Sequence, residues 1–119
     1  MCRPDLNGTT YEPNKELIER AKEIIISSYN EPLNRKKIAE KLGVSNNHLA
    51  RLFKHYYGMT ISEYIIEIRM EEATRLLTHT DIEITEVALK TGVKSMSNFY
   101  KIFKERTGLT PKEYRLKSL

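Results

Sequence analysis

The chain has 119 residues, 39% hydrophobic and 30% charged, a composition typical of a globular domain with its own core. Its longest aliphatic run is Ile24 to Ile26, so we expect no membrane span or signal peptide, and its single cysteine excludes an internal disulfide and an all-cysteine metal site. The net charge is +4, and residues 84–119 carry eight basic and three acidic side chains. A polyanionic partner in a reducing compartment, the cytoplasm by default, fits these features.

The first half of the chain begins with a predicted tail, residues 1–13, which has no apolar period. Apolar residues at helical spacing then predict a first helix over 14–29. Asn34 is a suitable N-cap for a short second helix, which Gly43 should end in a left-handed conformation. Ser45 is the expected N-cap of a third helix.

The second half opens on a capping box, Thr60-Ile-Ser-Glu63, which predicts a long helix reaching about Thr78. Two further helices are expected at about 85–91 and 95–106. A second capping box, Thr110-Pro-Lys-Glu113, has proline at the first helical position and begins a last helix. The predicted fold class is therefore all-α, with seven helices and no strand.

The pattern FKxxxGxTxxEY occurs twice, at Phe53–Tyr64 and at Phe103–Tyr114, and each copy follows an apolar-patterned stretch with a Gly-Val pair. The offset between the copies is 49 residues before the first Phe-Lys and 50 after it, so the second copy has one extra residue after its Gly-Val turn. Repeats of this length are either stacked scaffold units or paired binding units.

The second helix of each repeat begins with small polar residues, at 45–48 in one copy and at 94–98 in the other. Alanines at Ala39 and Ala88 allow the two helices of each unit to approach closely. A stacked solenoid would need apolar residues on two faces of every helix, whereas these helices have one apolar face. The pattern favours two helix-turn-helix units.

The segment from Ile84 to Arg115 reads IxxVAxxxGVxSxSNFYKIFKxxxGxTPxEYR and resembles the signature of the AraC/XylS transcription regulators. The resemblance extends over about residues 14–116, with departures at Val93, where the family usually has an aromatic residue, and at Lys101, where arginine is commoner. It implies a homeodomain-like fold and a sequence-specific regulator that binds double-stranded DNA. The implied organisation is a tail at 1–13, a first helix-turn-helix subdomain at 14–60, a linker helix at 61–79 and a second subdomain at 80–119.

Two sets of residues are predicted to contact DNA. Arginine and lysine suit the O6 and N7 of guanine, asparagine suits adenine, and an apolar side chain suits the thymine methyl group. The predicted base contacts are Asn46, Asn47, Ala50, Arg51, Met96, Ser97, Asn98 and Lys101. The predicted phosphate contacts are Ser45, Lys54, Ser95, Lys104, Thr110 and Lys112.

A connecting helix of about 25 Å places the two reading helices about 34 Å apart, one turn of B-DNA. A monomer is therefore expected to read two adjacent major-groove segments. The resemblance also implies RNA polymerase as a partner and the bacterial nucleoid as the location. Solvated surface residues and ordinary helix caps are the competing interpretation of the polar positions.

The tail segment Cys2-Arg-Pro-Asp5 resembles the end of the zinc domain of Ada-type adaptive-response regulators. That resemblance implies that Cys2 is a zinc ligand of a longer parent, whose zinc domain transfers a methyl group from a DNA phosphotriester to another cysteine. A lone cysteine in a tail is the alternative. His48, His55 and His79 form no ligand pair at useful spacing, so neither a metal, a cofactor nor an enzyme activity is expected in this fragment.

Three other functions compete with DNA reading by an Ada-type fragment. The first is a helical protein-interaction module that uses the acidic residues of the long helix, Glu63, Glu67, Glu71 and Glu72. The second is the DNA-binding domain of an AraC-type regulator that responds to a small-molecule effector. The third is the remnant of a methyltransferase that inactivates itself.

Overall fold

The computed structural model describes residues 13–119, which form seven α-helices and no strand. The all-α prediction is confirmed, and each predicted helix is present within one or two residues of its expected bounds. The helices are α1 (Pro13–Ser28), α2 (Arg35–Leu42), α3 (Asn46–Tyr57), α4 (Ile61–His79), α5 (Ile84–Thr91), α6 (Met96–Thr107) and α7 (Pro111–Lys117). None of these helices is long and apolar enough to cross a membrane.

Side-chain caps start most of these helices. The Asn34 side chain accepts a hydrogen bond from the Lys37 backbone N–H at 2.9 Å, and Ser45 accepts one from the His48 N–H at 3.1 Å. Each satisfies a backbone donor that the first turn of a helix leaves without a partner. Glu83, which precedes α5, makes no side-chain cap hydrogen bond.

Both predicted capping boxes are present. Thr60 and Glu63 exchange hydrogen bonds at the start of α4, with distances of 2.8 and 3.1 Å. Thr110 and Glu113 repeat the arrangement at the start of α7, with Pro111 at its first position. The two copies of the repeated pattern therefore begin their last helix in the same way.

Two hydrophobic cores lie within the described residues, one in each helix-turn-helix unit. The first is built by α1, α2, α3 and the first turns of α4, and the second by the rest of α4 with α5, α6 and α7. Phe53, Phe99, Leu49 and Phe103 are fully buried. The buried residues of the first core are Ile18, Ala21, Ile25, Ile38, Ala39, Leu49, Phe53, Ile61 and Ile65.

Helix α4 joins the two units because it contributes to both cores. Ile61 and Ile65 belong to the first core, and Met70, Ala73 and Leu77 to the second. Its 19 residues span about 28 Å at roughly 1.5 Å per residue. The described chain is elongated, with extents of 56 × 28 × 21 Å, as expected for two small units placed along one helix.

Candidate nucleic-acid interface

The first turns of α3 present one set of polar side chains to solvent. Asn47 and Arg51 are exposed and lie four residues apart, so they share one face of the helix. Ala50 is half-buried beside them, and the Arg51 guanidinium lies 3.5 Å from Nδ1 of His48. The Ser45 hydroxyl at the end of this face caps the helix. The face has the donors and the small side chain that reading a base edge requires.

The Asn46 side chain is held by a hydrogen bond within the molecule. Its Oδ1 accepts a short hydrogen bond from Nε of Arg35, at the start of α2. This bond orients the carboxamide and occupies one lone pair of Oδ1, so Asn46 keeps the second lone pair and both amide N–H donors to offer a base. The sequence could not reveal the pairing, because the two residues come from different helices.

The first turns of α6 present a different set at matched positions. Ser97, Asn98 and Lys101 are exposed, and the Ser95 hydroxyl accepts a hydrogen bond from the Asn98 backbone N–H at 3.2 Å. Met96 is half-buried and packs against the second core, so only part of its side chain remains accessible. Base contacts by this set, Met96 included, stay predictions.

Tyr100 is a candidate that the sequence analysis missed. With the offset of 50 residues it occupies the position of Ala50, which was predicted to face a base. The residue is 38% exposed, and its ring packs edge-on against Phe99, with centroids 6.3 Å apart. The signal was present in the repeat, since aligning the two copies places an exposed aromatic ring on the reading face of α6 only.

Lys54 and Lys104, predicted to contact phosphate, are exposed in the last turns of α3 and α6. Each lies near a capping-box glutamate. The hydrogen bond from the Thr60 N–H lowers the pKa of Glu63, and the charge of Lys54 lowers it further. Thr110 and Lys104 act in the same way on the pKa of Glu113. Thr110 is engaged in its cap, whereas Lys112 is exposed.

Three of the four acidic residues proposed as a protein-docking face on α4 have partners inside the molecule. Glu63 belongs to a capping box, Glu67 forms a short ion pair with Arg106 of α6, and Glu72 pairs with Arg75 at 2.6 Å. The Arg75 hydrogen bond lowers the pKa of Glu72. These pairs stabilise α4 and its contact with α6, so no observation favours the docking interpretation.

A groove of about 490 Å³ lies between the two units. Its walls come from the loop before α2, the first turn of α2, the middle of α4 and the turn between α5 and α6. They carry the cationic side chains of Lys37, Arg69 and Lys94. Ser95 and Asn98 at the start of α6 also line it. Sequence analysis missed this groove because its walls are distant in the chain.

The tail falls outside this description. Cys2 and its neighbours to Asp5 lie outside residues 13–119, so their predicted relation to a zinc domain has no structural counterpart here. Among residues 13–119, no group of three histidine, cysteine, aspartate or glutamate side chains is placed to hold a metal ion.

Two helix-turn-helix units on one connecting helix, each with an exposed polar face at the start of its second helix, define a double helix-turn-helix domain. A family described as a helix-turn-helix domain matches residues 38–117 of the chain. PqrA of Proteus vulgaris, named a probable transcription factor, is 38% identical over 86 residues, which are 72% of this chain and 70% of PqrA. The chain belongs to this helix-turn-helix family and is an AraC-type DNA-binding domain of a transcription regulator.

Solved structures show the same fold. The C-terminal domain of AraT, a response regulator from Geobacillus stearothermophilus, superposes with a TM-score of 0.85 at 30% identity, covering 89% of this chain and 88% of that one. An AraC-type transcriptional regulator from Chromobacterium violaceum gives a TM-score of 0.79 at 32% identity, covering 87% and 93%.

Some relatives are much longer than this chain. A transcriptional regulator of helix-turn-helix type from Staphylococcus aureus is 32% identical over 111 residues, which are 89% of this chain but 15% of the regulator. The chain thus spans most of PqrA and a small part of the staphylococcal protein.

Proposed function

We propose that the chain reads an asymmetric duplex DNA site by placing α3 and α6 in two adjacent major-groove segments. The observation that carries this proposal is the contrast between matched positions on the two helices. Asn47 and Arg51 of α3 stand where α6 has Ser97 and Lys101, and all four are exposed. Since each side chain prefers a different base edge, the two helices favour different sequences.

The spacing of the units supports a monomer as the binding species. The proposed units at 14–60 and 80–119 are joined by the proposed linker at 61–79, and the described chain is 56 Å long. That length accommodates two reading helices one turn of B-DNA, about 34 Å, apart. Lys54, Lys104 and Lys112, with the hydroxyl groups of Ser45, Ser95 and Thr110, would position the domain on the phosphates.

The test is selection of bound sites from random duplex DNA, followed by affinity measurements across a range of salt concentrations. We expect a negative slope of log affinity against log salt, because phosphate contacts release counterions. Arg51→Ala should weaken binding to the selected site by about 1–3 kcal/mol and relax one position of the site. Unchanged base preference in Arg51→Ala would refute its assignment.

Arg75→Ala is the matched control for that experiment. Arg75 is an exposed arginine of α4 paired with Glu72. It borders the same surface as Ile68, whereas Ile66 and Arg69 line the groove between the units on another side of α4. At 3.6 residues per turn, residues 66 and 75 lie on opposite faces of α4. This variant removes the same charge as Arg51→Ala and should leave both affinity and base preference unchanged.

A location in the bacterial cytoplasm, at the nucleoid, and a contact with RNA polymerase complete this proposal. Both follow from the role of a transcription regulator. Co-purification of polymerase with the domain on a selected promoter fragment would support the second, and equal recovery of polymerase on that fragment without the domain would contradict it.

A narrower proposal is that the parent protein is an Ada-type alkylation-response regulator. It rests on the segment from Cys2 to Asp5, with Cys2 as a zinc ligand of a preceding domain. Zinc and methyl transfer would then belong to that domain, and this chain would supply promoter binding. Zinc content and methyl transfer from a phosphotriester, measured on the full-length parent, test it, and absence of both would refute it.

A further inference from the structure

The turn of the second unit packs directly on the backbone of the first. At Gly92, which ends α5 with a φ of +89°, an added Cβ would lie 2.8 Å from the Tyr29 carbonyl oxygen and 2.8 Å from Asn30 Cα. Real Cβ atoms do not approach backbone so closely. Glycine is therefore required here both by its left-handed conformation and by the neighbouring loop.

Arg69 holds the same loop from the connecting helix. Its Nε donates a hydrogen bond to the Tyr29 carbonyl oxygen at 2.8 Å, and its Nη2 donates one to the Glu31 carbonyl oxygen at 3.1 Å. The side chain is half-buried, and this burial lowers the pKa of its guanidinium. Charge-assisted bonds to carbonyls that follow α1 are stronger than neutral ones, so the loop is fixed to α4. We call residues 29–31, Arg69 and Gly92 the interunit joint.

The equivalent glycine of the first unit shows that the close approach is not needed to make the turn. Gly43 ends α2 with a φ of +71°, and an added Cβ there would meet nothing within 4 Å. Both glycines give the chain a left-handed residue after a short helix. Of the two, only Gly92 also lies in contact with the other unit.

We propose that the interunit joint fixes the position of α6 relative to α3 and thereby sets the base-pair spacing that the domain accepts between its two half-sites. This rests on the proposed function. Adding one base pair moves the second half-site by about 3.4 Å and rotates it by about 35° around the duplex axis. A rigid pair of units cannot follow that change, whereas a pair joined only through α4 can.

The first experiment measures, without DNA, how rigidly the interunit joint holds the two units together. Spin labels on Glu40→Cys in α2 and Glu105→Cys in α6, both exposed positions, report the distance between the units in a Cys2→Ser background. The distance distribution should be narrow in the chain without a glycine substitution and in Gly43→Ala, and broad in Gly92→Ala. Gly43→Ala is the matched control because it imposes the same backbone strain without the clash.

The second experiment measures spacing selectivity on DNA. Affinities are compared for the selected site and for the same site with one base pair inserted between the half-sites. We expect the insertion to weaken binding about tenfold or more in the unsubstituted chain and in Gly43→Ala. In Gly92→Ala the loss should shrink to about threefold or less. Arg69→Met, which keeps an unbranched apolar stem without the donors, should do the same if Gly92→Ala does not fold.

The outcomes separate the joint from the proposed function. A narrow distance distribution and full spacing selectivity in both Gly92→Ala and Arg69→Met would overturn the assignment of the joint. Failure of the unsubstituted chain to bind duplex DNA would instead overturn the proposed function. The spin-label distances would still show whether the interunit joint holds the units together.

Discussion

The two helix-turn-helix units share a frame and differ in what they present. Ser45 and Ser95 cap their second helices in the same way, and Phe53 and Phe103 are both fully buried. The exposed residues in the first turns of α3 and α6 differ between the copies, as at Asn47 and Ser97. The caps and buried rings common to both copies build the structure, whereas the positions that differ include the predicted base contacts.

The turns of the two copies also differ in what they contact. The turn of the second unit rests on the first unit through Gly92, whereas the turn of the first faces open space at Gly43. The sequence of the turns alone would not distinguish them, since both have a Gly-Val pair. Their different surroundings give one turn a role in the relation between the units.

The largest expected effect comes from emptying either core. Phe53→Ala and Phe103→Ala should each lower the free energy of unfolding by about 3–5 kcal/mol, because each removes a fully buried ring. Urea denaturation followed by circular dichroism measures the loss. Leu89→Ala, at a side chain that is 72% exposed, is the control and should stay within about 0.5 kcal/mol. A loss in one unit only would show that the cores are energetically unequal.

A smaller effect is expected from the matched lysines. Lys54→Ala and Lys104→Ala should each weaken binding on all duplex sequences and reduce the salt slope by about one, because each removes one proposed phosphate contact. Affinity titrations at several salt concentrations, on selected and scrambled DNA, measure both quantities. Arg75→Ala again serves as control. A loss confined to the selected site would assign the lysine to base reading instead.

The smallest effect concerns the capping boxes. The folded state lowers the pKa of Glu63 and Glu113 below the ordinary value of 4.5, so their ionised form stabilises the fold. That contribution is fully present above pH 4.5 and is lost as the pH falls through the lowered pKa. Glu63→Gln and Glu113→Gln, which keep a side-chain acceptor, should be less stable than the parent at pH 7.

The difference between the parent and each glutamine variant should vanish in acid. Denaturation curves at a series of pH values from 7 to 3 measure it. A pH-independent difference would show that the carboxylate charge has no role in either cap. Comparing the two variants also shows whether Lys54 and Lys104 support their neighbouring glutamates equally.

Local signals were sufficient to predict the helices. Asn34, Ser45 and Thr60 were predicted as caps, and each accepts the expected backbone hydrogen bond, because a cap depends on residues within one turn. The exposure of Arg51 and Lys101 also agrees with their place on an amphipathic helix.

Contacts between distant residues could not be predicted in this way. The bond between Asn46 and Arg35 depends on how α2 and α3 pack, and the packing of Met96 on the second core depends on the angle of α6. The approach of Gly92 to Asn30 joins residues of different units. No periodicity or motif encodes such contacts, because they depend on the tertiary arrangement.

The division of α4 between two cores has a consequence for how the molecule opens. An opening of either unit exposes one end of this helix, while the other end stays packed against the opposite core. Amide hydrogens near Ile66 and Ile68, at its centre, should therefore exchange with solvent only when both units open together. Local fluctuations in one unit are then confined by the helix that joins it to the other.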